Sequence, residues 1–368
     1  MSNNKTQKKK LITPRRILSI LTLALVIFVV YKAHDQIFAA VNYLTEANIW
    51  VVLLIIPEQL FMYYCLGQMF FSYLHGKKGF QKVSPWTLTR VSFELNFVNH
   101  AIPSGGVAGL GYASWRLKQF GSSVGQTSFA YILRYVITIL ANQTQVLIAL
   151  AFLIIIGGIA SGGWWIVWLA LALSLGITAV MVALVVIVSS RKRINWFVQI
   201  AEKACNWAVR TFTFGRKKRA FKPGTIEQYF LDIHKNLLSA RKNKSILIKP
   251  IIWGIIYNFL ECATFWIIGI SMGHPEILPH VMVGVAIASV VGSVIPLPGG
   301  VGGYEGTMIF IMTSLGLDLA LVTAVVITTR VLILVGTIVS GYGFYQHAIS
   351  KLGKKEKDAI MQGKVKDE

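Results

Sequence analysis

Four charged residues stand alone in long apolar stretches: Glu58, Arg134, Glu261 and Arg330. A charge at the bilayer centre costs roughly 2.5–3.5 kcal/mol on insertion scales, so such side chains pair or face a polar cavity. One chemistry open to them is structural, a pair of Glu–Arg salt bridges within each half of the chain or across the halves. The other is recognition, with the arginines holding an anionic group such as a lipid phosphate, whose oxygens match the planar guanidinium fork. Their placement is patterned. A glutamate precedes, and an arginine follows, each of two similar breaks. The first break is Ile102-Pro103-Ser104-Gly105-Gly106-Val107-Ala108-Gly109, and the second is Ile295-Pro296-Leu297-Pro298-Gly299-Gly300-Val301-Gly302-Gly303.

Pro and Gly at this density end helices. Half-helices that end inside a membrane present free N–H groups and positive dipole ends, which bind anions. The blander alternative is that the glycines only let helices approach closely. Glu305 directly follows the second break, whereas the first copy has Gly111-Tyr112-Ala113 near the matching place and no acid. An acid there would bind a cation, take up a proton, close a gate, or cap a helix or pair with a nearby arginine. Asn96, Asn99 and His100 precede the first break, as backbone caps or as the lining of a headgroup path.

Other chemistries find no support in the sequence. The glycine runs lack the Gly-Lys-Ser/Thr of a phosphate-binding loop, and there is no zinc-binding His pair and no Gly-x-Ser-x-Gly elbow. Cys65, Cys205 and Cys262 have neither metal nor disulfide spacing and are expected to pack. No cofactor, metal or catalytic residue is expected.

The elements that must position these residues are membrane helices. The chain is 55% hydrophobic, with a mean hydropathy of +0.61. Apolar runs long enough to span recur at about 17–33, 49–74, 126–157, 164–188, 246–272 and 318–347. The expected fold class is all-α: a polytopic integral membrane protein of about six full spans plus two re-entrant, Pro/Gly-broken segments. The first span follows a basic stretch without a small-residue cleavage site and is expected to be a retained signal-anchor.

The net charge of +21 would fit nucleic-acid binding until the charges are placed. They crowd the N-terminus, 77–118, 191–249 and the tail, while the loops at 158–163 and 273–280 have no Lys or Arg. This asymmetry puts both termini in the cytoplasm of a plasma-membrane protein. The basic side faces anionic headgroups, and nucleic acid is not an expected partner.

With that orientation the chain divides into a basic N-terminus (1–16), a first membrane half (17–188) with re-entrant segment 86–116, a cytoplasmic connector (189–245), a second membrane half (246–347) with re-entrant segment 279–316, and a charged tail (348–368). The two halves run in opposite senses, an inverted repeat. In the connector, Ile194, Phe197, Val198, Ala201 and Cys205 recur at helical spacing, predicting an amphipathic helix on the inner leaflet. Thr225-x-x-Gln228 predicts a capping box opening a second helix. Trp164, Trp165 and Trp168 mark the outer interface.

Pro296 to Gly306 resembles the Pro-Gly-Gly-(apolar)-Gly-x-x-Glu signature of the lysylphosphatidylglycerol synthase transmembrane region, the flippase-like part of the multiple peptide resistance factor. Asn99 to Gly121 resembles that family's first re-entrant segment. The resemblance covers about 15–347. It implies movement of aminoacylated phosphatidylglycerol to the outer leaflet and resistance to cationic peptides. Full-length relatives add a cytoplasmic aminoacyl-transferase domain. About twenty residues follow the last predicted span here, so this chain is not expected to catalyse the transfer.

The expected function is a lipid translocase for lysyl-phosphatidylglycerol or a related anionic or polyprenyl lipid. The path would be lined by Glu58, Asn99, Pro103, Gly105, Gly106, Arg134, Glu261, Pro296, Pro298, Gly299, Gly300, Gly302, Glu305 and Arg330. Alternatives are a membrane subunit acting with a separate lipid synthase, and a secondary transporter of a small solute. A homo-oligomer is left open.

Overall fold

The computed structural model describes residues 31, 34–80, 82–102, 106–155, 164–212, 224–294 and 303–351. Among them all regular structure is helical, and five helices are long and apolar enough to cross a membrane. The protein is a polytopic membrane protein. The first predicted span and the tips Pro103, Gly105, Pro296, Pro298, Gly299, Gly300 and Gly302 lie outside the described residues.

In chain order the helices are α1 (His34–Glu46), α2 (Ile49–His75), α3 (Pro85–Ala101), α4 (Val107–Lys118), α5 (Val124–Ile155), α6 (Trp164–Val188), α7 (Arg191–Phe212), α8 (Thr225–Lys242), α9 (Ser245–Ser271), α10 (Leu278–Val294), α11 (Gly303–Ser314) and α12 (Leu319–Lys351). Their ends follow local chemistry. Ser84 caps α3, accepting from the Thr87 N–H, with Pro85 pre-set at the first position. Asp318 caps α12 through the Leu321 N–H. α2 opens into a turn at Leu53-Leu54, because Pro57 has no N–H to give and its ring crowds the carbonyl four residues back. α8 begins at Thr225 as predicted, but its cap is Gly224 at φ 77°, without a side-chain bond.

α2 and α9 run antiparallel and form the central pair. The Asn48 N–H donates to the Ser271 carbonyl where α2 starts and α9 ends, and Gly76 packs on Ile246 at the other end. Each then continues into a helical hairpin. α3 and α4 form the first, whose outer ends meet where Gly79 lies on Gly121. α10 and α11 form the second, in close contact at Gly284 against Met308 and Met312. Two cores result. One joins α2, α3, α4, α5 and α8 through Phe71, Leu88, Leu117, Ala130 and Ile233. The other joins α9 to α12 through Phe265, Val285, Met308 and Val325. α6 stands at the periphery with only Ile166, Val167 and Ala170 buried, and Trp164, Trp165 and Trp168 exposed at one end.

The last span carries a π-helical stretch, Thr337–Tyr342. It widens the helix beside α3, and Gly341 sits where a Cβ would lie 2.7 Å from Phe97 Cβ and 3.0 Å from the Phe93 carbonyl oxygen. Those partners are backbone and near-backbone atoms and cannot swing away. Gly341→Val is therefore expected to destabilise the protein by about 1–3 kcal/mol through overpacking, read as a lowered melting temperature in detergent. Gly343→Val, where open space faces the glycine, is expected to have a smaller effect.

α7 and α8 pack across the end of the bundle. Tyr73 donates to Asn236 Oδ1 (3.1 Å), Lys77 to Ser239 Oγ (2.9 Å), and His234 Nδ1 lies 2.7 Å from the Val188 carbonyl. The apolar face of α7 read from the sequence turns toward the protein: Ile194 and Val198 are buried, and Phe197 meets Phe230 of α8 edge-on at 5.4 Å. A second stripe, Trp196, Ile200 and Trp207, is left exposed.

Candidate functional site: a charged centre between two hairpins

Polar side chains from α2, α3, α5, α9, α11 and α12 gather inside the bundle. One contact there is a close ion pair, Arg330 Nε to Glu305 Oε1 at 2.7 Å, with side chains only 17% and 5% exposed. Glu305 lies in the first turn of α11, where the helix dipole favours an acid. Arg330 also stacks over Tyr304 at 4.5 Å, and Tyr304 stacks on Phe265. Of the roles open to Glu305 in the sequence, pairing with a nearby arginine is the one the structure displays.

Arg134 is held differently. Its guanidinium lies 5.4 Å from the Tyr131 ring and 5.1 Å from the Tyr135 ring. It is half-buried, and among the described residues it has neither an ion pair nor a hydrogen bond. Tyr131 fixes the first hairpin's tip beside it, donating to the Gly106 carbonyl at 3.3 Å and sharing hydrogen bonds with the Asn99 amide at 3.1 and 3.2 Å. Gly106 opens α4 at φ 89°. A Cβ there would sit 2.7 Å from Tyr135 Oη, so both conformation and space require glycine.

Glu261 is within reach of the charges of both arginines. It projects from α9, and the charges acting on its carboxylate are those of Arg330 and Arg134. It too forms no ion pair or hydrogen bond among the described residues. Arg330 also acts on His100, in the last turn of α3, so both hairpins bring a group to the same centre.

Glu58 goes elsewhere. Its carboxylate accepts from Gln59 Nε2 (3.0 Å) and Thr264 Oγ1 (3.2 Å), and its other oxygen is buried without a donor. The predicted bridges joining Glu58 or Glu261 to an arginine do not form among the described residues. Thr264 faces Glu58 across the α2–α9 pair, and the acid that meets Arg330 is Glu305 instead.

Asn96 and His100 do more than cap. Asn96 Nδ2 donates to Tyr63 Oη (2.6 Å) and Thr337 Oγ1 (3.2 Å), tying α2 and α3 to the π-helical stretch. His100 Nδ1 lies 2.9 Å from the Asn96 carbonyl.

Two features escaped the sequence reading. Glu94, 1% exposed, binds Arg116 Nε at 2.9 Å and accepts from Tyr112 at 2.9 Å, locking α3 to α4. Its signal was an acid in the apolar run Val91-Ser92-Phe93-Glu94-Leu95, the same signal that exposed Glu58. The other is a polar run in the middle of α5, Asn142-Gln143-Thr144-Gln145. Gln145 Oε1 accepts from Asn258 Nδ2 at 2.6 Å, and Gln145 Nε2 donates to Cys262 Sγ at 2.7 Å.

Spanning helices, paired hairpins and a charged interior define a polytopic membrane protein with a polar centre. The chain belongs to the lysylphosphatidylglycerol synthase TM region family, whose model matches residues 16–341. That membership gives it a lipid-related role in the membrane. No curated protein and no solved structure matches the chain.

Proposed function

We propose that the protein is a lipid translocase, moving the headgroup of lysyl-phosphatidylglycerol, or of a related anionic or polyprenyl lipid, between leaflets through the charged centre while the acyl chains stay in the bilayer. The observation that carries this reading is Arg134. A guanidinium inside the bundle that has no carboxylate and no hydrogen-bond acceptor among the described residues offers its donors to a ligand, and phosphate is an acceptor that fits them. Glu261, without a hydrogen bond among the described residues, would take an ammonium or hydroxyl of the same headgroup.

Alternating exposure needs two units of opposite sense, and the packing supports an inverted repeat. α2 corresponds to α9, α3–α4 to α10–α11, and α5 to α12. α10 packs on α5 as α3 packs on the far part of α12, and α4 on α5 as α11 on α12. In this scheme the two hairpins are re-entrant from opposite faces, both termini are cytoplasmic, and the protein lies in the plasma membrane.

The end of the bundle covered by α7 and α8 then lies against the inner leaflet. Arg191, Lys192 and Arg193 follow Val188 of the peripheral span within a few residues, which puts α7 at headgroup depth, with Trp196, Ile200 and Trp207 turned to the lipid and the basic residues on anionic headgroups. Spin labels at positions 196 and 207, in a background without native cysteines, are expected to be relaxed by oxygen from the bilayer, and a label at 195 by aqueous nickel. Equal aqueous accessibility at all three would remove α7 from the membrane surface.

The translocase reading is tested by a leaflet-accessibility assay in proteoliposomes with labelled phosphatidylglycerol, its lysyl form, a glycolipid and a polyprenyl phosphate. Protein-dependent movement of at least one class is expected. Movement of none, alongside solute-dependent currents, would give the site to a small solute instead.

A further inference from the structure

The polar run of α5 belongs to no part of the charged centre, and it borders a cavity of its own. Gln145 joins three helices, accepting from Asn258 of α9 and donating to Cys262 Sγ and, at 3.4 Å, to the Met282 carbonyl of α10. Beside this junction is a cavity of about 170 Å³ lined by Thr144, Gln145, Ile148, Asn258 and Phe259, among others. Asn258 is 2% exposed, yet among the described residues its Oδ1 has no donor. Ile148 and Phe259 at the rim are 59% and 49% exposed on the outer, lipid-facing surface. The cavity is therefore a side opening between α5 and α9, apolar at its mouth and polar at its back.

Size separates this cavity from a hydration site. On the opposite side of α5, Asn142 Oδ1 is also without a donor, and the cavity there is about 40 Å³. A water takes up about 30 Å³ in the liquid, so the smaller space is close to one water's volume beside Asn142. The larger space would hold roughly five waters at that volume each, behind a mouth made of hydrocarbon side chains. A buried amide oxygen left without a donor costs about 1–3 kcal/mol, a cost that a hydrogen-bonding ligand in the cavity would remove.

We propose that this side cavity binds the hydroxyl-bearing part of a membrane lipid, a glycerol or sugar hydroxyl, with Asn258 Oδ1 as acceptor. No charged side chain lines the cavity, so it offers nothing to neutralise an ammonium or a phosphate. A hydroxyl both donates and accepts, and satisfies the Asn258 amide whichever of its ends faces the cavity. Thr144 Oγ1 donates to its own helix at the Leu140 carbonyl, at 3.0 Å, which leaves its lone pairs for a second hydroxyl. Asn258 stands one helical turn from Glu261 on α9, so a lipid held here waits beside the charged centre. That last step rests on the translocase reading; the binding itself does not.

The test is lipid retention by the purified full chain, measured by native mass spectrometry after exchange into phosphatidylcholine, phosphatidylethanolamine, phosphatidylglycerol and a glycosyl diacylglycerol. Wild type is expected to retain the two hydroxyl-bearing lipids at least tenfold better than the other two. Asn258→Leu is expected to abolish that preference. Ala141→Leu, which fills the lining and leaves the amide junction intact, guards against misfolding of the first variant and is expected to do the same. Equal retention of all four lipids by wild type, or an unchanged preference in a folded Ala141→Leu protein, overturns the proposal and leaves the cavity to water. A preference without transport in liposomes would sink the translocase reading and keep the site; transport with no preference would do the reverse.

Discussion

Arg330→Ala is expected to destabilise the protein by about 3–5 kcal/mol, the range for removing one partner of a buried ion pair. The change takes from Glu305, 4% exposed at the start of α11, the guanidinium it pairs with at 2.7 Å. It also removes the cation stacked at 4.5 Å over Tyr304. The loss should appear as a lower melting temperature and poorer recovery in detergent. Glu305→Gln on the Arg330→Ala background is expected to recover most of it, because the uncompensated charge is then absent. If the single variant melts like wild type, Glu305 and Arg330 are not the structural pair their 2.7 Å contact describes.

Arg134→Gln is expected to do the opposite: a melting temperature close to wild type, and lipid movement at least tenfold slower. No ion pair among the described residues breaks, since there Arg134 rests on the rings of Tyr131 and Tyr135. A hydrogen bond to a charged group contributes about 1.5–3 kcal/mol, and each 1.4 kcal/mol is a factor of about ten, so losing one or two such bonds to a phosphate gives roughly a tenfold to ten-thousandfold effect. Arg134→Lys keeps the charge without the planar fork and is expected to fall between. The two arginines thus occupy matching places in the sequence but differ in their contacts, Arg330 paired with Glu305 and Arg134 resting on Tyr131 and Tyr135, and the proposed function gives them different roles.

That separation shows what the sequence could and could not carry. Spans, glycine breaks and the isolated charges are local properties of composition, so the all-helical membrane class and the family were legible before any coordinates. The partners were not, because pairing is decided by which helix faces which. Glu58 meets Thr264 because α2 and α9 are antiparallel neighbours, and nothing within either segment states that. The same limit applies to α7, whose periodicity reveals an apolar face in Ile194 and Val198 but not that α8 covers it, leaving Trp196 and Trp207 outward. Glu94 and the Asn142–Gln145 run carried the signal of polar residues in apolar surroundings, and their roles emerged only when Arg116 and Asn258 were placed opposite them.

The most direct test of the central claim compares the leaflet-to-leaflet movement of labelled lysyl-phosphatidylglycerol and phosphatidylglycerol in proteoliposomes holding equal amounts of folded wild type and Arg134→Gln. The account predicts protein-dependent movement in wild type, reduced at least tenfold in the variant at an unchanged melting temperature. Movement of equal rate in both proteins would contradict it, since the headgroup would then cross without the Arg134 guanidinium, which has no acceptor among the described residues.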